Sequence, residues 1–245
     1  MHPPEDPYFL FAELINKAQQ DRSVLLIPSF AVGRTQQIVF MIDGLVRRNM
    51  IKPINIHIDS PMAITATDIY IKYHEYHAVD LALLSGEKGA VLNGKHVFLH
   101  RRRESSQELN DLKGPAIILS SSGMLTGGRI LHHLINRLPD PRTVVVLVGF
   151  MAEGTLGRKL AEEADVVFIH KQPVPVKAKI IMIEGLSGHA DWYEILHWLS
   201  LIKVPPKRVF VTHGETSQSE AMAQHFKEDR GWETLIPVMG QTVEL

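Results

Sequence analysis

Five times in 245 residues an apolar run gives way to a short loop of small and polar residues and then to a helical pattern. The junctions read IPSFAVGRTQQ (27–37), IDSPMA (58–63), LSSSGMLTGGR (119–129), VGFMAEGTLGR (148–158) and VTHGETSQSE (211–220). This layout allows few folds. Strands joined through helices need crossover connections, and these build a mostly parallel sheet covered by helices, an α/β architecture. In such sheets the loops at the strand carboxyl ends converge on the ligand. Helix starts offer free backbone N–H groups to an anion, and glycine lets the chain approach it closely. Several such loops in one chain favour a phosphate-bearing or otherwise anionic ligand.

The strands expected from apolar runs are Ser23–Ser29, Ile54–Ser60, His96–His100, Pro115–Ser121, Thr143–Phe150 and Arg208–Gly214. DVVFIH (165–170) and AKIIMIEG (178–185) add two more, which the Pro-rich KQPVPVK between them makes antiparallel or bent. Ile38, Met41, Ile42 and Leu45 form a helical stripe after Gly33, as do Ile130, Leu134 and Leu138 after Gly128. Ser60 followed by Pro61 is a cap with proline at the first helical position. Asp191 and Glu194 have capping-box spacing. They open a helix over Trp192–Ile202 with Trp192, Ile195, Leu196, Leu199 and Ile202 facing inward.

Composition removes several classes. The chain is 45% hydrophobic and 22% charged, which suits one large core or two smaller ones. A formal net charge of −1 gives no global electrostatic case for nucleic acid, so any such contact needs a local patch. With no cysteine there are no disulfides, thiolate zinc sites or cysteine nucleophiles, which mildly favours a cytoplasmic address. No apolar run approaches the roughly 20 residues that span a bilayer, so no membrane association is expected.

There are thirteen histidines. In HEYH, His74 and His77 lie at i, i+3 without a third ligand nearby and read as a solvated helix end. His132 and His133 are neighbours on a helix and read as surface or groove residues. His57, His96 and His100 read as core or edge residues. His189 in SGHAD and His213 in VFVTHGE differ: each sits in a loop among small residues and close to a carboxylate, Asp191 or Glu215.

SGHAD, then a helix, then VFVTHGE, with FAVGRTQQ, IDSPMA, SSSGMLTGGR and GFMAEGTLGR upstream, together resemble the β-CASP branch of the metallo-β-lactamase superfamily. That branch includes the nuclease of pre-mRNA cleavage and polyadenylation, RNase J, and DNA-processing nucleases. The prokaryotic RNA-cleaving relatives are the best likeness, and it covers essentially the whole chain. The resemblance implies a β-CASP domain with a central, mostly parallel sheet flanked by helices (residues 1–170), followed by the closing segment of a metallo-β-lactamase αββα sandwich (171–245). It implies two zinc ions, and single-stranded RNA held between the domains. By the same resemblance His213 matches a late metal ligand, and His189 the residue that orients or protonates the scissile phosphate or leaving group. Arg34, the loop Ser120, Ser121, Ser122, Gly123 and Met124, and Glu153, Gly154 and Gly157 match segments lining the RNA groove. Gln37 departs from the acidic residue frequent in relatives.

The superfamily's H-x-H-x-D-H motif does not occur in these 245 residues. The resemblance places it upstream of the β-CASP insertion, so the chain is expected to be a portion of a zinc-dependent RNA nuclease. A zinc ion takes about four ligands, so the chain alone is expected to bind zinc weakly and to lack phosphodiesterase activity. AKIIMIEG and RVFVTHG would expose strand edges, which a homodimer or a separate chain could cover. The alternative is a non-catalytic RNA-binding or scaffold module. Arg101–Arg103 offer it a basic spot, although such a triplet is more often a solvated edge.

Overall fold

A computed structural model describes residues 6–76, 92, 94–186 and 188–244. His77 and Ser187 of the sequence reading lie outside the described residues. The described residues form two compact units, one ending at Leu186 and the other beginning at Gly188.

The first unit follows the strand–loop–helix repetition. Its elements run α1 (Pro7–Asp21), β1 (Val24–Pro28), α2 (Arg34–Arg47), β2 (Asn55–Ile58), α3 (Pro61–Lys72), β3 (Val97–Leu99), α4 (Arg103–Glu108), β4 (Ala116–Ser120), α5 (Arg129–Arg137), β5 (Thr143–Val148), α6 (Leu156–Ala161), β6 (Val166–Ile169), β7 (Gln172–Pro175) and β8 (Lys179–Ile183). Six strands form one sheet in the order β3-β2-β4-β1-β5-β8, with every pairing parallel. The central strands β1 and β4 are buried along their whole length, as a sheet covered on both faces requires.

Side-chain alternation along β1 divides the core. Leu25 and Ile27 pack with Phe11, Ile15, Ile38 and Ile64 of α1, α2 and α3. Val24 and Leu26 face the other way, toward Ile130 and Leu134 of α5, Leu160 of α6, and Val167 and Val174 of β6 and β7. Full burial of each such side chain stabilises by roughly 1.5–3 kcal/mol before chain entropy is counted.

The structure corrects the reading of the last two strands. β6 pairs antiparallel with QPVP of β7, not with AKIIMIEG. The reversal falls at His170 and Lys171, whose φ values of 50° and 65° form a two-residue turn suited to a hairpin. AKIIMIEG is instead β8, parallel to β5 with Val144 opposite Lys179, and forms an edge of the main sheet.

In the second unit lie α7 (Trp192–Leu199), β9 (Val209–Phe210), α8 (Thr216–Arg230) and β10 (Thr234–Leu235), with β9 and β10 paired in parallel. Its core is small: Leu196, Phe226 and Trp232. The capping box forms as expected. Glu194 N donates to Asp191 Oδ1 and Asp191 N donates to Glu194 Oε2, each at 2.9 Å. The helix stops at Leu199, short of Ile202, and two expected inward residues face out: Trp192 is 38% exposed and Ile202 44%. Trp192 instead stacks on His225, with ring centroids 4.0 Å apart.

Candidate nucleic-acid interface

Neighbouring strands β2, β4, β1 and β5 end at one level because their registers are aligned: Ile58 lies opposite Leu119, and Pro28 opposite Ser120. Their following loops therefore gather on one rim of the first unit. Hydrogen bonds join them. Ser29 N donates to Ser120 O at 3.0 Å, Asp59 N to Leu119 O at 2.8 Å, and Gly157 N to Met124 O at 3.4 Å. Two glycines are required by close approach. Gly128 has φ 83°, and a Cβ there would lie 2.2 Å from Ser121 O. A Cβ on Gly157 would meet Met151 Sδ at 2.4 Å.

A cavity of about 480 Å³ opens at this rim, walled by Phe30, Pro61, Met62, Ser121, Ser122 and Arg129 among others. The sequence-predicted groove residues divide around it. Ser121 and Ser122 line the cavity, and Ser121 Oγ is buried with no hydrogen-bond partner. Ser122 Oγ accepts from Thr126 N at 3.0 Å and Gly127 N at 3.3 Å, which shapes the loop. Ser120 is fully buried and donates to Asp59 O at 2.9 Å, so it braces the loop from below. Gly123 packs on the Phe30 ring. Met124 supplies the carbonyl that takes Gly157 N, while Glu153 and Gly154 are exposed on the β5 loop.

Arg34 begins α2 at the end of the β1 loop. Its Nη2 lies 3.9 Å from where a Cβ on Gly149 would stand, so the guanidinium reaches toward the β5 loop. Nη1 is buried without a partner, and burial lowers the Arg34 pKa. A guanidinium in that position is unsatisfied, and a phosphate oxygen would complete it.

Beneath the rim is a polar cluster that the sequence reading did not assign. Asp59 is 0% exposed. Its Oδ1 accepts from Arg129 Nη1 at 2.7 Å, and its Oδ2 from Ser106 Oγ at 2.6 Å and His133 Nε2 at 2.7 Å. Burial pushes the Asp59 carboxyl up, but the bonds from His133, Ser106 and Arg129 outweigh it and hold the pKa below the ordinary value. His133 was expected at the surface or in the groove. It is 1% exposed, because it follows Arg129 by one helical turn on the inward face of α5. The available signal was an Asp at a strand end matched by an Arg and a His at i, i+4 on a later helix. His57 and His100 form a second, part-buried pair, Nδ1 to Nε2 at 3.0 Å, consistent with their reading as core or edge residues.

His189 and His213 belong to the second unit, and both are exposed. His213 has φ 66°, a left-handed conformation that turns the chain sharply between β9 and α8. Among the described residues no group of three or more His, Cys, Asp or Glu side chains could hold a metal ion. These residues alone therefore do not satisfy a zinc ion, which takes about four ligands. No described helix is long and apolar enough to cross a membrane.

The first unit is a parallel α/β domain with glycine-edged loops converging on one rim. Two family models identify it further. The Beta-Casp domain matches residues 35–160, and the Zn-dependent metallo-hydrolase RNA specificity domain matches 173–237. The chain belongs to the Beta-Casp family. Among curated relatives, Ribonuclease TTHA0252 of Thermus thermophilus is 35% identical over 96% of this chain and 51% of its own length. An RNase J-like protein of Methanocaldococcus jannaschii is 32% identical over 93% of the chain and 52% of its own length. The transcription termination factor FttA of Pyrococcus abyssi is 29% identical over 99% and 38%. The chain thus spans about half the length of the first two relatives.

Proposed function

We propose that the chain is the RNA-holding portion of a zinc-dependent ribonuclease, and that single-stranded RNA runs along the rim built by the loops after β1, β2, β4 and β5. The observation that carries this reading is the Arg34 guanidinium, buried at Nη1 with no partner and set beside the β5 loop. The backbone phosphate of RNA supplies the missing charge and acceptor, and the glycines at 128 and 157 let backbone approach backbone. The names of the relatives and the RNA specificity domain support RNA as the nucleic acid. In this reading residues 1–170 are the β-CASP domain and 171–245 the closing segment.

His213 is assigned as a metal ligand and His189 as the group that orients or protonates the scissile phosphate or leaving group. Zinc in a complete site would supply a nucleophilic hydroxide and charge stabilisation. This chain's own contribution is to bind and orient the strand. A second reading, a non-catalytic RNA-binding module, is favoured by the lack of a three-ligand cluster among the described residues.

Fluorescence anisotropy with labelled single-stranded RNA tests the shared claim. Binding should weaken as salt rises, and Arg34→Ala should weaken it about tenfold at moderate salt. Equal affinity for the variant would remove the groove reading. Zinc-dependent cleavage by a protein in which this chain is joined to an H-x-H-x-D-H segment separates the two readings.

A further inference from the structure

Helix α5 carries Arg129, His133 and Arg137 at i, i+4 and i+8 on one inward face. The first two turn to Asp59 beneath the groove. Arg137 lies two turns on, toward the opposite end of the sheet, and lines a separate cavity of about 380 Å³. Val24 and Thr143, the first residues of β1 and β5, also line it, so the cavity sits at the amino ends of the strands.

Four cations and two carboxylates face this cavity: Arg22, Lys113, Arg137 and Arg142 against Asp21 and Asp140. Both carboxylates are already engaged. Asp140 takes Arg142 through Nε at 3.1 Å and Nη2 at 3.0 Å, and Asp21 pairs with Lys17 at 3.0 Å. Among the described residues Arg22, Lys113 and Arg137 have no carboxylate within ion-pair distance. Arg137 is only 5% exposed. Its Nη2 donates to the main-chain oxygens of Leu109 and Leu112, and its Nε is buried with no partner. Burial lowers the Arg137 pKa against the opposing pull of Asp140 and Asp111, so a guanidinium hydrogen-bonded only to neutral carbonyls is incompletely compensated, which is costly in a poorly solvated site. An anion in the cavity would offset that cost. Three positive side chains lining one cavity suit a doubly charged phosphate monoester better than a single carboxylate. The volume falls within the roughly 300–1,000 Å³ typical of small-molecule sites.

We propose that this cavity is a second anion site, distinct from the RNA groove, that binds a small phosphate monoester of about mononucleotide size against Arg22, Lys113 and Arg137. The proposal does not rest on the RNA reading.

Isothermal titration of the full chain with adenosine 5′-monophosphate and, separately, with inorganic phosphate tests it, both against sodium chloride of equal ionic strength. One saturable site is expected, tighter for the nucleotide than for phosphate. The double variant Arg22→Asn/Lys113→Ala should weaken it at least tenfold. Both side chains are exposed, and asparagine tolerates the left-handed conformation of Arg22, so the fold should survive. Arg34→Ala, at the other end of the sheet, should leave the affinity unchanged. No saturable binding, or binding lost in Arg34→Ala and kept in the double variant, would overturn the site. Equal affinity for phosphate and nucleotide would overturn the ligand size.

Discussion

Arg129 Nη1 donates to Asp59 Oδ1 at 2.7 Å across 70 residues of sequence, and the same nitrogen donates to His100 O at 2.7 Å. Arg129 Nη2 adds Arg101 O at 2.9 Å. One guanidinium therefore ties the end of β2, the start of α5 and the chain leaving β3. His133 and Ser106 complete the Asp59 carboxylate, which has no contact with solvent. The groove floor is held by a buried ionic cluster rather than by apolar packing alone.

Removing that carboxylate should be severe. Asp59→Ala leaves a guanidinium, an imidazole and a hydroxyl without their acceptor, and is expected to lower unfolding free energy by about 3–5 kcal/mol. Asp59→Asn keeps part of the hydrogen bonding and should cost less. Urea denaturation measures both. A loss under about 1 kcal/mol for the alanine variant, within the range of a surface change, would contradict the role given to the cluster.

Acid should weaken the first unit through His57. Burial, then the nearby charges of His100 and Arg137, lower its pKa from 6.5 to about 4. The folded state thus holds His57 neutral where the unfolded chain would protonate it. Its stabilising effect is full above about 6.5 and is lost as pH falls toward 4. Asp59, held low, acts in the same direction at more acid pH: its contribution is present above its unfolded value and lost as pH falls through the folded one. An NMR titration should place the His57 midpoint near 4, and His57→Gln should flatten the stability slope above that pH. A midpoint near 6.5 would count against the buried, neutral assignment.

The 121–128 loop depends on one glycine more than on its neighbour. Gly128→Ala places a methyl 2.2 Å from Ser121 O in a left-handed backbone, whereas a Cβ at Gly127 meets nothing within 4 Å. Gly128→Ala should cost about 1–3 kcal/mol and weaken RNA binding, while Gly127→Ala should be nearly neutral. Thermal denaturation and RNA anisotropy on the pair check this. Equal behaviour of the two variants would refute it.

Zinc should not load this chain tightly. With one assigned ligand in His213, titration with zinc is expected to give weak binding, and the purified chain to give no zinc-dependent RNA cleavage. Robust cleavage that disappears on chelation would overturn that expectation.

Much of the fold was readable because its signals are local. Fully apolar strands, Ser60–Pro61 and the Asp191–Glu194 box depend on adjacent residues and appear as read. β8 was not, since a proline-rich linker says nothing about which strand a segment joins; the partner, β5, lies outside the linker altogether. Trp192 and Ile202 were misplaced because periodicity finds an apolar face but not what covers it. At the groove, the glycine loops were legible from composition. The Asp59 cluster was hidden because its members come from three separate stretches, joined only by the sheet order.

The central claim is that RNA lies on the rim formed by the loops after β1, β2, β4 and β5. Backbone NMR of the chain titrated with a short single-stranded RNA tests it most directly. The largest shift changes should fall on residues 29–34, 59–62, 121–128 and 149–155. Changes confined to residues 188–244, or to the opposite rim at Arg22 and Lys113, would contradict it.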